Sequence, residues 1–270
     1  MDLISIVVVT YNSGKTVVET LDSIYKQTYQ KLELIVSDDC SIDNTVDVVR
    51  KWIKTHKKRF VNVRLLKAKE NHGVTKNCNI GIFQAKGKYV QIIAGDDLFM
   101  QNAIERKRDY AEKNKLNVVF SKVKVFGANI PRVNYVKRYC ERGYCIAKKG
   151  WQEQYDQIIL GNFIAGPSGE FFLTEYIQKL GGFDVHYPML EDYPFIYHYI
   201  LAGNEIVLLE EELEQYRISN SSIWTSNNKN YVKSSIKFFF RERFKELIKN
   251  KKYKIALNEM IYSLGQLFGS

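Results

Sequence analysis

A chain of 270 residues, 45% of them hydrophobic, can bury a large core, and at roughly 150 residues per domain it makes one large domain or a domain with an appendage. The formal net charge is +10, but ten basic residues against two acids lie between Lys229 and Lys254, which leaves only about +2 for the rest and argues against a nucleic-acid groove across the main body. Four scattered cysteines form no disulfide framework or zinc motif, and the absence of a membrane-spanning apolar run or an amino-terminal targeting segment points to the cytoplasm.

In chain order, the apolar run Leu3 to Val9 suits a central strand, Thr10-Tyr11-Asn12-Ser13-Gly14 breaks it, and Thr16 to Gln27 has helical spacing. Leu32 to Val36 reads as a second strand ending in Ser37-Asp38-Asp39-Cys40-Ser41. Asp43 or Asn44 then caps a helix with Val46, Val49, Trp52 and Ile53 on its apolar face. Val61 to Leu66 is a third strand, Asn71-His72-Gly73 a loop, and Thr75 to Gln84 a helix leading to a fourth strand, Tyr89 to Ala94. Strands alternating with helices imply a parallel sheet whose carboxyl ends share one edge, where ligands bind.

Two acidic loops fall on that edge: Asp38-Asp39 after the second strand and Gly95-Asp96-Asp97 after the fourth. Adjacent carboxylates cannot be buried and ionised together without a cation, and hard oxygen ligands suit Mg²⁺ or Mn²⁺ carrying a diphosphate, although Gly-Asp-Asp is also a common solvated turn. No GxGxxG follows the first strand and no GxxxxGK[ST] occurs anywhere, so neither a dinucleotide-binding Rossmann domain nor a P-loop enzyme is supported.

These stretches resemble the motifs of the family 2 glycosyltransferases, in that family's order. The resemblance rests on Ser5 to Asn12, Gln27-Thr28, Leu34 to Thr45, Asn71-His72-Gly73, Gly95-Asp96-Asp97, Gly181-Gly182-Phe183-Asp184 with Glu191-Asp192, and Tyr216-Arg217, and it covers about residues 3 to 223. It implies a GT-A fold, an α/β Rossmann-like and mostly parallel sheet with flanking helices. Residues 1–225 would form the catalytic domain (1–97 nucleotide-binding, 98–225 acceptor-binding), followed by a basic helical tail over 226–270.

The resemblance also implies site roles. Thr10, Tyr11 and Asn12 line the donor pocket and Asp39 bonds the base, which fits physically because a ring stacks on a base and a carboxylate accepts its N–H. Asp96 faces the ribose, and Asp97 of this Asp-x-Asp-like motif binds Mn²⁺ or Mg²⁺. Asp192 is the general base and Glu191 contacts the acceptor; physically, both acids also suit the start of a helix over Tyr193 to Ala202. Where many members have Ala-Arg-Asn, this chain has Asn77-Cys78-Asn79, so Lys76 is the substitute cation on the donor side.

His72, His186 and His198 stand at no metal spacing and read as surface or packing residues. The turn-rich Gly161 to Gly169 lies where the resemblance puts the acceptor, which makes Gly166 and Ser168 acceptor-side candidates; an ordinary loop is the other reading. Residues 127–150 show no clear period and read as a mobile insertion over the active edge or a solvated basic loop. In the tail, Ile236, Phe240, Phe244, Leu247 and Ile248 recur at helical spacing among lysines, so residues 229–254 either make a peripheral membrane contact or pack on protein.

The expected function is an inverting, metal-dependent glycosyltransferase that moves a sugar from a nucleotide sugar, a uridine diphosphate sugar first, to a glycan or lipid-linked acceptor in bacterial surface-polysaccharide synthesis. The alternative is a nucleotide-sugar-binding protein of the same fold without transferase activity.

Overall fold

The computed structural model describes residues 1–164, 169–219 and 228–268. Its first half alternates strand and helix: β1 (Ile4–Thr10), α1 (Val17–Tyr25), β2 (Leu32–Asp38), α2 (Thr45–His56), β3 (Asn62–Lys67), α3 (Val74–Gln84) and β4 (Tyr89–Ala94). β1 lies between β2 and β4, parallel to both, and β3 continues the sheet beyond β2. The alternation of β1 explains the two cores: Ile4, Ile6 and Val8 pack toward α1, whereas Val7 and Val9 pack toward α3.

The second half adds β5 (Leu98–Phe99), α4 (Ala103–Asn114), β6 (Val118–Phe126), α5 (Ile130–Ala147), α6 (Trp151–Ile158), β7 (Glu170–Leu173), α7 (Thr174–Lys179), α8 (Asp192–Leu201) and β8 (Leu208–Arg217). The sheet runs β3-β2-β1-β4-β7-β6-β8-β5, with β7 antiparallel to both neighbours and β5 antiparallel to β8. It is therefore parallel over β1 to β4 and mixed beyond, as in the GT-A fold expected from the sequence.

The structure decides three local points that the sequence left open or misread. Asn44 does sit at the amino cap of α2, but its side chain makes no capping bond; Asp43 Oδ1 instead accepts the Thr45 N–H at 2.9 Å. Residues 127–150 are not a loop, because Asn129 and Pro131 start the 18-residue helix α5. Its buried stripe, Val133, Val136, Cys140, Gly143 and Ala147, is small and widely spaced among basic residues, which hides its period; a Cβ on Gly143 would lie 1.7 Å from the Phe163 carbonyl oxygen.

The tail is the third. α9 (Lys229–Phe238), a π-helical turn (Phe239–Arg243), α10 (Phe244–Lys249) and α11 (Tyr253–Phe268) return to the main body. The wide π turn buries two consecutive aromatics in different places. Phe238 enters the main core among Tyr187, Tyr193 and Tyr197, and Phe239 joins a small core with Leu247 and Ala256. Arg243 pins the turn, donating to the carbonyls of Ile159 and Leu160 and pairing with Glu259 at 2.8 Å. Ile236 and Leu247 of the expected stripe are buried, while Phe240 and Ile248 remain 39% exposed. Among the described residues no helix is long and apolar enough to cross a membrane.

Candidate active site

Register brings the expected residues to one edge. Thr10 pairs with Asp38 across β1–β2 and Val9 with Ala94 across β1–β4, so the three following loops emerge side by side. The Thr10 hydroxyl donates to Asp38 Oδ2 at 2.9 Å, and Asp38 also accepts the backbone N–H and hydroxyl of Ser41. Thr10 is thus part of the floor. A Cβ on Gly95 would lie 2.8 Å from its methyl group, which is why glycine precedes the two acids.

Asn12 braces these loops from a left-handed conformation (φ 53°): its N–H donates to Ser41 Oγ, and its carboxamide oxygen accepts from the N–H of Ile42 at 3.0 Å. Tyr11 is half exposed. Asp39 is buried, and its two oxygens accept the N–H groups of His72 and Gly73, each at 2.8 Å. A base N–H would have to share those lone pairs.

α3 joins this edge to the acids downstream. Ser37 donates to the carboxamide oxygen of Asn77, whose nitrogen returns to the Ser37 carbonyl. Asn79 makes a reciprocal pair with the backbone of Phe183, at 2.8 Å each way, and the Thr75 hydroxyl donates to the Tyr187 carbonyl at 2.7 Å. Gly182 at φ +76° leaves no room for a side chain, since a Cβ would sit 2.3 Å from Asn79 Oδ1. Cys78 is fully buried on this helix, and burial, then the charges of Glu191, Glu170 and Asp39, push its thiol up. A buried neutral thiol cannot stand in for a donor-facing arginine; Lys76 is exposed, 3.3 Å from His72 Nδ1.

Asp192 begins α8 and is only partly buried. Its Oδ1 accepts the Tyr193 N–H at 2.7 Å and its Oδ2 accepts from Asn162 Nδ2 at 3.3 Å, while the Asn162 carbonyl accepts from Tyr139 of α5 at 2.7 Å. Burial and then the Asp192 charge push Glu191 up to about 8. Glu170 on β7 is fully buried, neither of its oxygens has a hydrogen-bond partner among the described residues, and burial and then Asp192 and Glu191 push it up as well. Gly166 and Ser168 lie outside the described residues.

Asp97 is buried, with Oδ1 accepting the Arg217 backbone N–H at 2.7 Å; Arg217 Nε donates to the Asp96 carbonyl at 2.7 Å, and its Nη2 reaches Glu19. Burial raises the Asp96 carboxyl, and Arg217 opposes the rise. Among the described residues no cluster of three or more His, Cys, Asp or Glu is poised for a metal. Two adjacent carboxylates still fit a hard divalent cation, which takes one or two protein carboxylates and fills the rest of its shell from phosphates and water. Tyr216 precedes Arg217 on β8. Burial pushes its phenol up first, and the charges of Asp97, Asp96 and Asp192 all add.

Sequence reasoning missed Glu170, Asn162 as a support of Asp192, Tyr139 and the side-chain role of Arg217. Only Glu170 left a signal, an acid opening the apolar run Phe171-Phe172-Leu173. An open cavity of about 530 Å³ between α7 and α8 is lined by the Gly181 to Asp184 motif and by none of Thr10, Asp39, Asp96, Asp97 or Asp192.

The family model for Glycosyl transferase family 2 matches residues 5–181, more than half of the chain. The chain belongs to glycosyltransferase family 2. GlyG of Streptococcus pneumoniae serotype 4 is 29% identical over 231 residues, 82% of this chain and 73% of that protein. Two solved structures share the fold at 20% identity and a TM-score of 0.65. Staphylococcus aureus TarS 1-349 in complex with UDP-GlcNAc is matched over 89% of this chain and 66% of its own, and the mannosyltransferase PcManGT from Pyrobaculum calidifontis in complex with GDP-Man and Mn²⁺ over 92% and 64%. This chain therefore spans only about two thirds of those solved chains.

Proposed function

We propose that this family 2 member is an inverting, divalent-metal-dependent glycosyltransferase acting in bacterial surface-polysaccharide synthesis, with a nucleotide sugar as donor and a glycan or lipid-linked hydroxyl as acceptor. The observation that supports the reading is the strand register: with Thr10 opposite Asp38 and Val9 opposite Ala94, the Asp39 loop and the Asp96-Asp97 loop leave one sheet edge side by side, and α3 bonds that edge to the backbone of Phe183 and Tyr187 ahead of Asp192. A uridine diphosphate sugar is the first donor to test, on the likeness to TarS solved with UDP-GlcNAc; PcManGT, solved with GDP-Man and Mn²⁺, supports a divalent cation.

In this reading residues 1–97 bind the nucleotide, residues 98–225 receive the acceptor, and 226–270 form an appended tail. Tyr11 stacks on the base, Asp39 fixes the loop that faces it, and Lys76 faces the diphosphate. Asp96 faces the ribose, and Asp97 would hold Mn²⁺ or Mg²⁺, which when bound would offset charge on the departing diphosphate. Asp192 Oδ takes the proton of the acceptor hydroxyl. The freed oxygen bonds to the anomeric carbon from the face opposite the donor diphosphate, the bond from that carbon to the diphosphate oxygen breaks, and the electron pair leaves with the nucleoside diphosphate, so the configuration inverts.

The test is release of nucleoside diphosphate from a panel of UDP- and GDP-sugars in the presence of Mn²⁺ and saccharide or lipid-linked acceptors. Turnover that requires an acceptor is the expected result. Donor binding without turnover on any acceptor would favour a binding protein of the same fold.

A further inference from the structure

The surface of α11 carries a feature that sugar transfer does not use. Its inner face packs on the body: Ala256 and Ser263 are buried, and Glu259 turns in to meet Arg243. The outer face is apolar as well. Tyr253, Leu257, Ile261 and Leu264 recur at i, i+4, i+8 and i+11, a single stripe, and are 57%, 50%, 59% and 40% exposed. A helix that is apolar on both faces needs a second burial partner, and an exposed stripe of this kind marks an interaction surface.

Charge selects the partner. Lys249, Lys251, Lys252 and Lys254 are exposed at the end of the helix where the stripe begins. The nearby acids are already engaged: Glu246 accepts from Tyr155 and Lys249, and Glu259 from Arg243. The partner must therefore be apolar and anionic together. A nucleic acid supplies only the charge, and a second copy of the chain supplies the apolar face, but its acids near the stripe, Glu246 and Glu259, are already engaged.

We propose that the outer face of α11 docks on the surface of an anionic phospholipid bilayer, with Leu257, Ile261 and Leu264 in the headgroup–acyl boundary and the lysines at the lipid phosphates. Of the two readings of 229–254, packing on protein takes Ile236 and Leu247; in this proposal that segment contributes lysines, and the apolar contact comes from the helix after it. The proposal does not depend on the transferase reading, because binding to a bilayer involves neither donor nor acceptor.

The test is cosedimentation of the full chain with vesicles of phosphatidylglycerol and phosphatidylcholine in equal parts, against vesicles of phosphatidylcholine alone. Binding to the first and not the second, weakened by salt, is expected. Leu257→Ser with Ile261→Ser weakens it by about tenfold or more while the melting temperature stays put, and so does Lys251→Gln with Lys252→Gln and Lys254→Gln. Three results overturn the proposal: no binding to anionic vesicles, binding unaffected by the Leu257 and Ile261 changes, or self-association in solution that those two changes abolish, which would assign the stripe to a second copy.

Discussion

The backbone N–H of Arg217 meets Asp97 Oδ1 at 2.7 Å, across 120 residues of chain. Strand pairing makes the meeting possible: β5 follows Asp97 at once and pairs with β8, Leu98 opposite Gln215, so the end of β8 is carried back over the two acids. The side chain then adds a bond to the Asp96 carbonyl and a pair with Glu19, and its guanidinium lies 4.6 Å from the centroid of the Phe126 ring. Arg217 is in this way a positioning residue for the diacid loop.

Arg217→Ala keeps the backbone N–H but removes the bond to Asp96 and the cation that opposes the rise of its carboxyl. Affinity for a nucleoside diphosphate with Mn²⁺ should fall by about tenfold, the worth of one charge-assisted hydrogen bond. Calorimetric titration of both proteins checks this, and Arg217→Lys should recover part of the loss.

Asp192→Asn keeps the shape of the site and the acceptor oxygen that meets Asn162, but it can no longer take a proton. Transfer should drop by about 10² to 10⁴-fold with donor affinity unchanged. Near-normal turnover in this variant would remove the base assignment.

Glu191 gives the pH dependence. Its carboxyl is held up to about 8 in the folded protein from an ordinary 4.5. The folded chain therefore keeps a proton there that the unfolded chain gives up above pH 4.5. This contribution to stability is complete below that pH and is lost as pH rises toward 8. Glu170 shifts in the same direction. Melting temperatures across this window should fall with pH in the wild type and fall less steeply in Glu191→Gln.

Under the site, the Lys107 ammonium is fully buried among the Glu214 carboxylate, the Gln91 carboxamide oxygen and the Gly169 carbonyl. Lys107→Met leaves Glu214 buried without its cation and should cost about 3 to 5 kcal/mol in denaturant unfolding. Lys107→Met combined with Glu214→Leu should cost less, because no orphaned charge remains.

The first half of the fold and its site edge were legible because their signals are local: apolar runs with a fixed period, broken by paired acids at Asp38-Asp39 and Asp96-Asp97. What stayed hidden is made by distant meetings. The support of Asp192 by Asn162 and Tyr139 depends on α5, whose small buried residues give a faint stripe. The grip of Arg217 depends on β5, which is two residues long. The direction of the tail depends on the π turn at Phe239–Arg243, which breaks the 3.6-residue pattern used to read an amphipathic helix.

The most direct measurement is thermal unfolding of the wild type and of Asp97→Ala with uridine, guanosine, cytidine and thymidine diphosphates, each with and without Mn²⁺. A ligand held by the native state raises the melting temperature by mass action. Uridine diphosphate should stabilise the wild type only when Mn²⁺ is present and should leave Asp97→Ala unmoved. An equal shift without the metal or in Asp97→Ala, or no shift with any of the four nucleotides, would contradict a metal-assisted nucleotide-sugar site at this edge.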